Sequence, residues 1–285
     1  MRSRGVKASA LGTAVIMGSV VLTACGDSDA KDDRPAATAS ASDGAQEQGT
    51  AAVRSAYDKT AEAETAKMTV KVKASADGRS ITSAGRGAID LADGDSTMTV
   101  TAEGQTIEQR VVDQVLYQEA PDREKSGGKP WLKIDLKKVA EQQGSDPAQI
   151  GDPAQSAAYA KAITDDDVSK VGTEKIDGAD TDRYKVSVDV SQLPGGSQLR
   201  EQIGPTLPMQ IWLDDQGRIR RQQIDMTVKA PASAKPDASS TPQQVKLSTL
   251  MEYSDFGTEV EAEAPPAKQV TDMTDQALRD GQKKS

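Results

Sequence analysis

Apolar and polar residues alternate along most of the chain. Met68, Val70, Val72 and Ala74 are separated by Thr69, Lys71 and Lys73, and the same period of two runs through Met98-Thr99-Val100-Thr101-Ala102 and Tyr184-Lys185-Val186-Ser187-Val188-Asp189-Val190. That period sends successive side chains to opposite faces, so these segments are strands with one dry and one wet face. The pattern predicts further strands at 81–91, 106–113, 115–119, 168–175, 209–214, 219–228 and 245–253. Asp77-Gly78, Asp93-Gly94, Asp177-Gly178 and Asp214-Asp215-Gln216-Gly217 separate them. Each favours a tight hairpin, because Gly and Asp accept the positive φ that such turns need. The expected sheet is a long antiparallel meander. Helical spacing is confined to 50–67, 136–143, 153–163 and 191–203, which makes the fold class α+β, with helices on one side of a strongly curved antiparallel sheet. The Pro/Ser/Ala stretch 230–242 is expected as an exposed hairpin loop, since proline removes donors that a central strand needs.

The first residues break this pattern. Arg2, Arg4 and Lys7 precede an apolar run at 8–21 that is interrupted by Gly12, Thr13, Gly18 and Ser19. It falls short of the roughly 20 apolar residues a spanning helix needs, and it reads as a secretory signal, 1–24. Leu22-Thr23-Ala24-Cys25 matches a bacterial lipobox, in which the thiol of Cys25 accepts diacylglycerol. Cys25 is the chain's single cysteine, so no disulfide is available within it. The expected location is the extracytoplasmic face of the cell membrane, held by the lipid anchor. Residues 25–49, poor in large apolar side chains, are expected to form a disordered tether. A folded domain is expected over 50–257, followed by a flexible C-terminal tail, 258–285, with at most a short helix at 274–279.

Composition narrows the chemistry. With 35 basic and 44 acidic residues the net charge is −9, and it becomes more negative when Arg2, Arg4 and Lys7 leave with the signal. Such a surface disfavours nucleic acid and anionic headgroups alike. The absence of histidine removes the Ser/His/Asp triad, His-based zinc sites and the usual general base near neutral pH. Ser126-Gly127-Gly128-Lys129 has Ser-x-x-Lys spacing, but that motif needs a helical turn, and Gly-Gly ahead of Lys-Pro argues for a loop. The acidic clusters at 90–95 and 177–182 lack the spacing of a calcium loop and are read as turns. No catalytic residue, metal or cofactor is expected.

With few aromatics, a curved sheet must line its concave face with aliphatic side chains and Met. Met98, Val100, Val111, Leu116, Val186, Val188, Ile211, Leu213, Met226 and Met251 are expected to face that interior. They either line a cavity or fill a core, and alternation alone does not choose. Trp131 and Trp212 are expected as packing anchors.

The stretches beginning "VSKVGTEKIDGADTDRYKVSVDV" at Val168 and "LPMQIWLDDQGRIRRQQIDMTV" at Leu207, with the lipobox and "KPWLKIDL" from Lys129, resemble the LppX/LprG lipoproteins of actinobacterial envelopes. The resemblance implies a LolA/LolB-like fold, a half-barrel whose helices close the concave side over an apolar cavity. It also implies binding and transfer of a lipid or acylated amphiphile without catalysis. A second functional class stays open, a non-carrying interaction or sensor lipoprotein with a filled core that presents a face to an envelope protein partner.

Overall fold

The ten segments expected as strands, with two further ones, form one twelve-stranded sheet among the described residues. The computed structural model describes residues 39–124, 126–142, 162–164, 167–193, 196–229 and 244–282. Helix α1 (Ala39–Ala61) leads into β1 (Thr65–Ala76), β2 (Arg79–Asp90), β3 (Ser96–Ala102), β4 (Gln105–Val112), β5 (Val115–Glu119) and β6 (Trp131–Asp135). After α2 (Leu136–Gln142) come β7 (Val168–Ile176) and β8 (Ala179–Asp189), a 3-10 turn at Val190–Gln192, α3 (Gly196–Ile203), β9 (Thr206–Leu213), β10 (Ile219–Lys229) and β11 (Gln244–Ser254). The chain ends in β12 (Val270–Asp272) and α4 (Thr274–Gln282).

Two antiparallel meanders, β1 to β6 and β7 to β11, are joined through β1 and β11, giving the order β12-β6-β5-β4-β3-β2-β1-β11-β10-β9-β8-β7. The sheet is curved and open, with β7 and β12 as its edges. Hairpin chemistry sets the registers. Asp77-Gly78, Glu103-Gly104 and Asp177-Gly178 all carry positive φ at both central positions, the turn whose twist matches paired strands. Asp113-Gln114 does the same without glycine.

Four differences from the sequence reading have physical causes. Helix α1 begins at Ala39, inside the expected tether, and stops at Ala61, before the expected end at 67. Thr65 and Lys67 belong instead to β1, paired with Asp90 and Ala88. The expected helix at 191–203 is split into the 3-10 turn, capped by the Asp189 carboxylate, and α3. Strand β6 escapes prediction because Trp131–Asp135 has all five residues half-buried, with no clean alternation.

The fourth difference is at the C-terminus, where 258–285 was expected to be a loose tail. Residues 270–272 pair in parallel with β6, and α4 follows. Lys129 donates from Nζ to the Val270 carbonyl (2.9 Å), and Thr271 donates from its hydroxyl to the Ser126 carbonyl (2.6 Å). These contacts cover a sheet edge that would otherwise leave a row of unpaired backbone groups. The signal 1–24, Cys25, the loop 230–242 and most of the helix at 153–163 lie outside the described residues.

The main core is one-sided. Val53, Ala56 and Tyr57 of α1 pack on Val168, Tyr184, Val186, Val188, Leu207, Met209, Ile211 and Leu213 of β7 to β9, with Ile219 and Ile224 of β10. The i, i+3, i+4 spacing on α1 gives it a single apolar stripe for this contact. Ala162 and Ile163 are buried in the same cluster.

Candidate functional site

Directly opposed residues of antiparallel strands share a face, so the registers trace one row of side chains across the sheet. Val186 opposes Met209, Met209 opposes Ile224, and Gln222, two residues before Ile224, opposes both Ile211 and Met251. Met251 then opposes Val70, Val70 opposes Gly85, and Gly85 opposes Val100. Ser96, of the same parity as Val100, opposes Val111, which opposes Leu116. By this chain of pairings all ten residues named for the interior, Met98, Val100, Val111, Leu116, Val186, Val188, Ile211, Leu213, Met226 and Met251, lie on one face, the face that carries α1.

Their surroundings differ. Val186, Val188, Ile211 and Leu213 are no more than 3% exposed and interlock with α1 in the closed core. Met98, Val100, Val111, Leu116, Met226 and Met251 are half-buried. The row also contains Val70 and Val72, whose alternation the sequence showed without their being named for the interior, and Ile107. In β2 the row meets Gly85 and Gly87, so β1 and β3 flank a lane without side chains. A methyl group added at Gly85 would touch the ends of Met98 (3.0 Å) and Val100 (3.4 Å), which lean over the lane.

Two clefts flank this surface. One of about 260 Å³ lies between β5, β6 and α4, lined by Leu116, Leu132, Ile134 and Met273. The other, about 600 Å³, opens at the ends of β1, β10 and β11, where Met226, Leu247 and Ile203 meet Lys73, Asp225 and Lys246 of the opposite face. A third cleft, about 350 Å³, is on the convex side, where Lys185, Gln210 and Asp225 stand beside Val186, Pro208 and Met209, and its lining surface is mainly apolar.

Several polar groups on the concave side have soft or local partners, among them Gln109, whose amide donates to the Gln118 side chain. The Gln222 amide donates to Met209 Sδ at 3.0 Å and the Tyr57 hydroxyl to the same sulfur at 3.7 Å. The Thr60 hydroxyl accepts from the Ile219 amide (2.8 Å) while donating to the Ala56 carbonyl. Burial pushes the phenols of Tyr253 and Tyr184 above the ordinary tyrosine value.

The convex face carries the charges. Trp212 lies between the guanidinium groups of Arg183 (5.1 Å) and Arg221 (5.4 Å) and donates from Nε1 to Glu174 (2.8 Å). That indole hydrogen bond, with the Arg221 ion pair, holds the Glu174 carboxyl below its usual range. Trp131 is covered by Arg110 (4.9 Å). Trp212 is buried and Trp131 half-buried, each against arginine side chains on this face. Ser126 and Lys129 are not a reactive pair, since the hydroxyl bonds the carbonyls of Arg123 and Lys129 while the amine holds Val270. At 90–95 the Asp90 carboxylate accepts from the amides of Ala92 and Asp93, the turn expected there. Among the described residues no cluster of acidic or thiol side chains has the arrangement of a metal site.

This curved open sheet, with a helix packed on one half of its concave side, aligns with the crystal structure of lipoprotein LppX from Mycobacterium tuberculosis. The alignment has a TM-score of 0.51 and 15% identity, over 76% of this chain and 98% of that one. The fold is that of the LppX/LprG lipoproteins. LprF from Mycobacterium bovis aligns at a TM-score of 0.45 with 15% identity, over 77% of this chain and 98% of that one. By sequence, the chain is 25% identical over 173 residues to an uncharacterized 31.2 kDa protein in the rplA-rplJ intergenic region of Streptomyces griseus. That match spans 55% of this chain and about half, 52%, of the relative. No family model matches the chain.

Proposed function

We propose that this chain is an envelope lipoprotein that binds a lipid or acylated amphiphile on the concave face of its sheet and carries it between membrane and envelope. Cys25 bears the acyl anchor, and the protein acts on the extracytoplasmic face of the cell membrane without catalysis. One observation carries the reading: the apolar row is packed under α1 from β7 to β10 but continues half-buried, through Met251, Val70 and Val100, across β11 to β3. Neighbouring strands lie about 4.8 Å apart, so the path from β10 to β3 is about 19 Å. One leaflet of a bilayer core is about 15 Å thick, half of about 30 Å, so an extended acyl chain fits that path. The lining is aliphatic and Met-rich, which grips chains without fixing their chemistry.

Native mass spectrometry of the full chain extracted from membranes tests the proposal. The expected result is a stoichiometric lipid adduct beyond the covalent mass on Cys25. A chain recovered free of lipid overturns it and leaves the interaction or sensor module, with an envelope protein as the partner.

A further inference from the structure

Arg220 differs from its neighbours Arg183, Arg218 and Arg221, which donate hydrogen bonds to Gln210, Asp214 and Glu252. It is 9% exposed, and its Nε is buried without a hydrogen-bond partner. It falls within the β-bulge that shifts the β9–β10 register between Ile219 and Arg221. Arg221 turns to the convex face to meet Trp212 and Glu252, so its neighbour Arg220 turns to the concave side. There its guanidinium lies over the ring of Phe256, 5.3 Å from the centroid.

The carboxylates around it accept hydrogen bonds from other cations, and Asp255, held below its usual range chiefly by Lys67, also feels the Arg220 charge. Asp214 holds Arg218 through two bonds of 2.9 and 2.8 Å, and Arg218 itself stacks on Phe256 at 4.2 Å. Asp255 pairs with Lys67 at 2.7 Å. Lys59 adds a further cation, its amine lying over Gly217, and it adjoins Thr60, whose hydroxyl receives the Ile219 amide. A buried guanidinium ordinarily has a carboxylate or carbonyl partner, because leaving its donors dry is costly. Stacking on a ring occupies the flat face of the guanidinium and leaves its N–H edge for a planar or tetrahedral anion.

We infer that Arg220 binds an anionic group, a phosphate or carboxylate, at the rim of the concave face. This rests on the carrier reading when the anion is the headgroup of the bound amphiphile. The apolar row would then take the chain while Arg220, with Lys59 nearby, takes the charge. The site lies beside Gln222, where the row leaves the closed core for the half-buried stretch. Charge-assisted bonds of this kind distinguish an anionic from a neutral ligand by about tenfold or more.

The test uses the full chain carrying Cys25→Ala, with displacement of a fluorescent acyl probe by dodecyl phosphate and by the neutral glyceride monolaurin. Wild-type Arg220 is expected to favour dodecyl phosphate by at least about tenfold, and Arg220→Met to bind both alike with monolaurin affinity unchanged. Arg220→Gln is read in the same way should the Met variant fail to fold. A preference that persists without Arg220, or that wild type never shows, overturns the inference. Inorganic phosphate separates the sources of the anion. If neither amphiphile binds, the carrier reading falls. The anion site then stands only if inorganic phosphate raises the melting temperature of wild type and not of Arg220→Met, and it falls if phosphate does neither.

Discussion

Two bulky substitutions on the same face should behave in opposite ways. Val188 is fully buried opposite Leu207 and belongs to the cluster closed by α1. A core at about 0.75 packing density has no room for an indole, and Val188→Trp should cost about 1–3 kcal/mol through displaced rotamers and backbone. For a domain of this size each kcal/mol lowers the melting temperature by about 2–4 °C, so the drop should be about 2–12 °C. Val100 faces the same way but is half-buried, and its cross-strand neighbour is Gly85, which leaves the lane open. Val100→Trp should change stability by no more than about 0.5 kcal/mol, under about 2 °C, while its ring fills the lane. Thermal melts followed by circular dichroism, with titration of a fluorescent acyl probe well below the melting range, measure both effects. The expected outcome is a lowered melting temperature with binding retained for Val188→Trp, and unchanged melting with binding lost for Val100→Trp. Equal destabilisation by the two would refute the division of the face into a filled and an open half.

Gly87 and Gly85 give a second contrast: a Cβ at Gly87 would come 1.9 Å from the Thr97 carbonyl oxygen, whereas at Gly85 its tightest contacts are the side-chain ends of Met98 at 3.0 Å and Val100 at 3.4 Å. Gly87→Ala should therefore cost about 1–3 kcal/mol by chemical denaturation and Gly85→Ala far less; equal costs would show that the β2–β3 pairing is not constrained by that close approach. At the C-terminal edge, burial pushes the Asp272 carboxyl up, but the Thr274 hydroxyl and amide and the Lys133 ammonium outweigh it and bring it to about 2. With a folded value below the ordinary 3.8, its contribution is complete above pH 3.8 and is lost as the pH falls through about 2. Hydrogen exchange over 270–282, corrected for intrinsic rates, should show that loss in wild type, whereas Asp272→Ala should expose the segment at every pH by removing the carboxylate that accepts the Thr274 amide.

What the sequence determined is what short-range chemistry determines. A period of two assigns each side chain to a face wherever a strand forms, so ten residues chosen by alternation fall on one side of the sheet. Asp-Gly pairs accept positive φ and so mark hairpins before any tertiary contact exists. The match of Leu22-Thr23-Ala24-Cys25 to a lipobox is likewise read without a fold, as an expectation. Packing partners far apart in sequence decided the rest. Alternation gives Val100 and Val188 the same face but not the same fate, because α1 docks through Val53, Ala56 and Tyr57 on β7 to β10 and thereby chooses which half is filled. The three residues of β12 carry no strand signal and are held by Lys129 and Ser126, well over a hundred residues away. Arg220 reads as one more cation in "GRIRRQQ". Only the tertiary structure, with its bulge beside Arg220 and its hydrogen bonds from other cations to Asp214 and Asp255, leaves the Arg220 Nε buried without a hydrogen-bond partner.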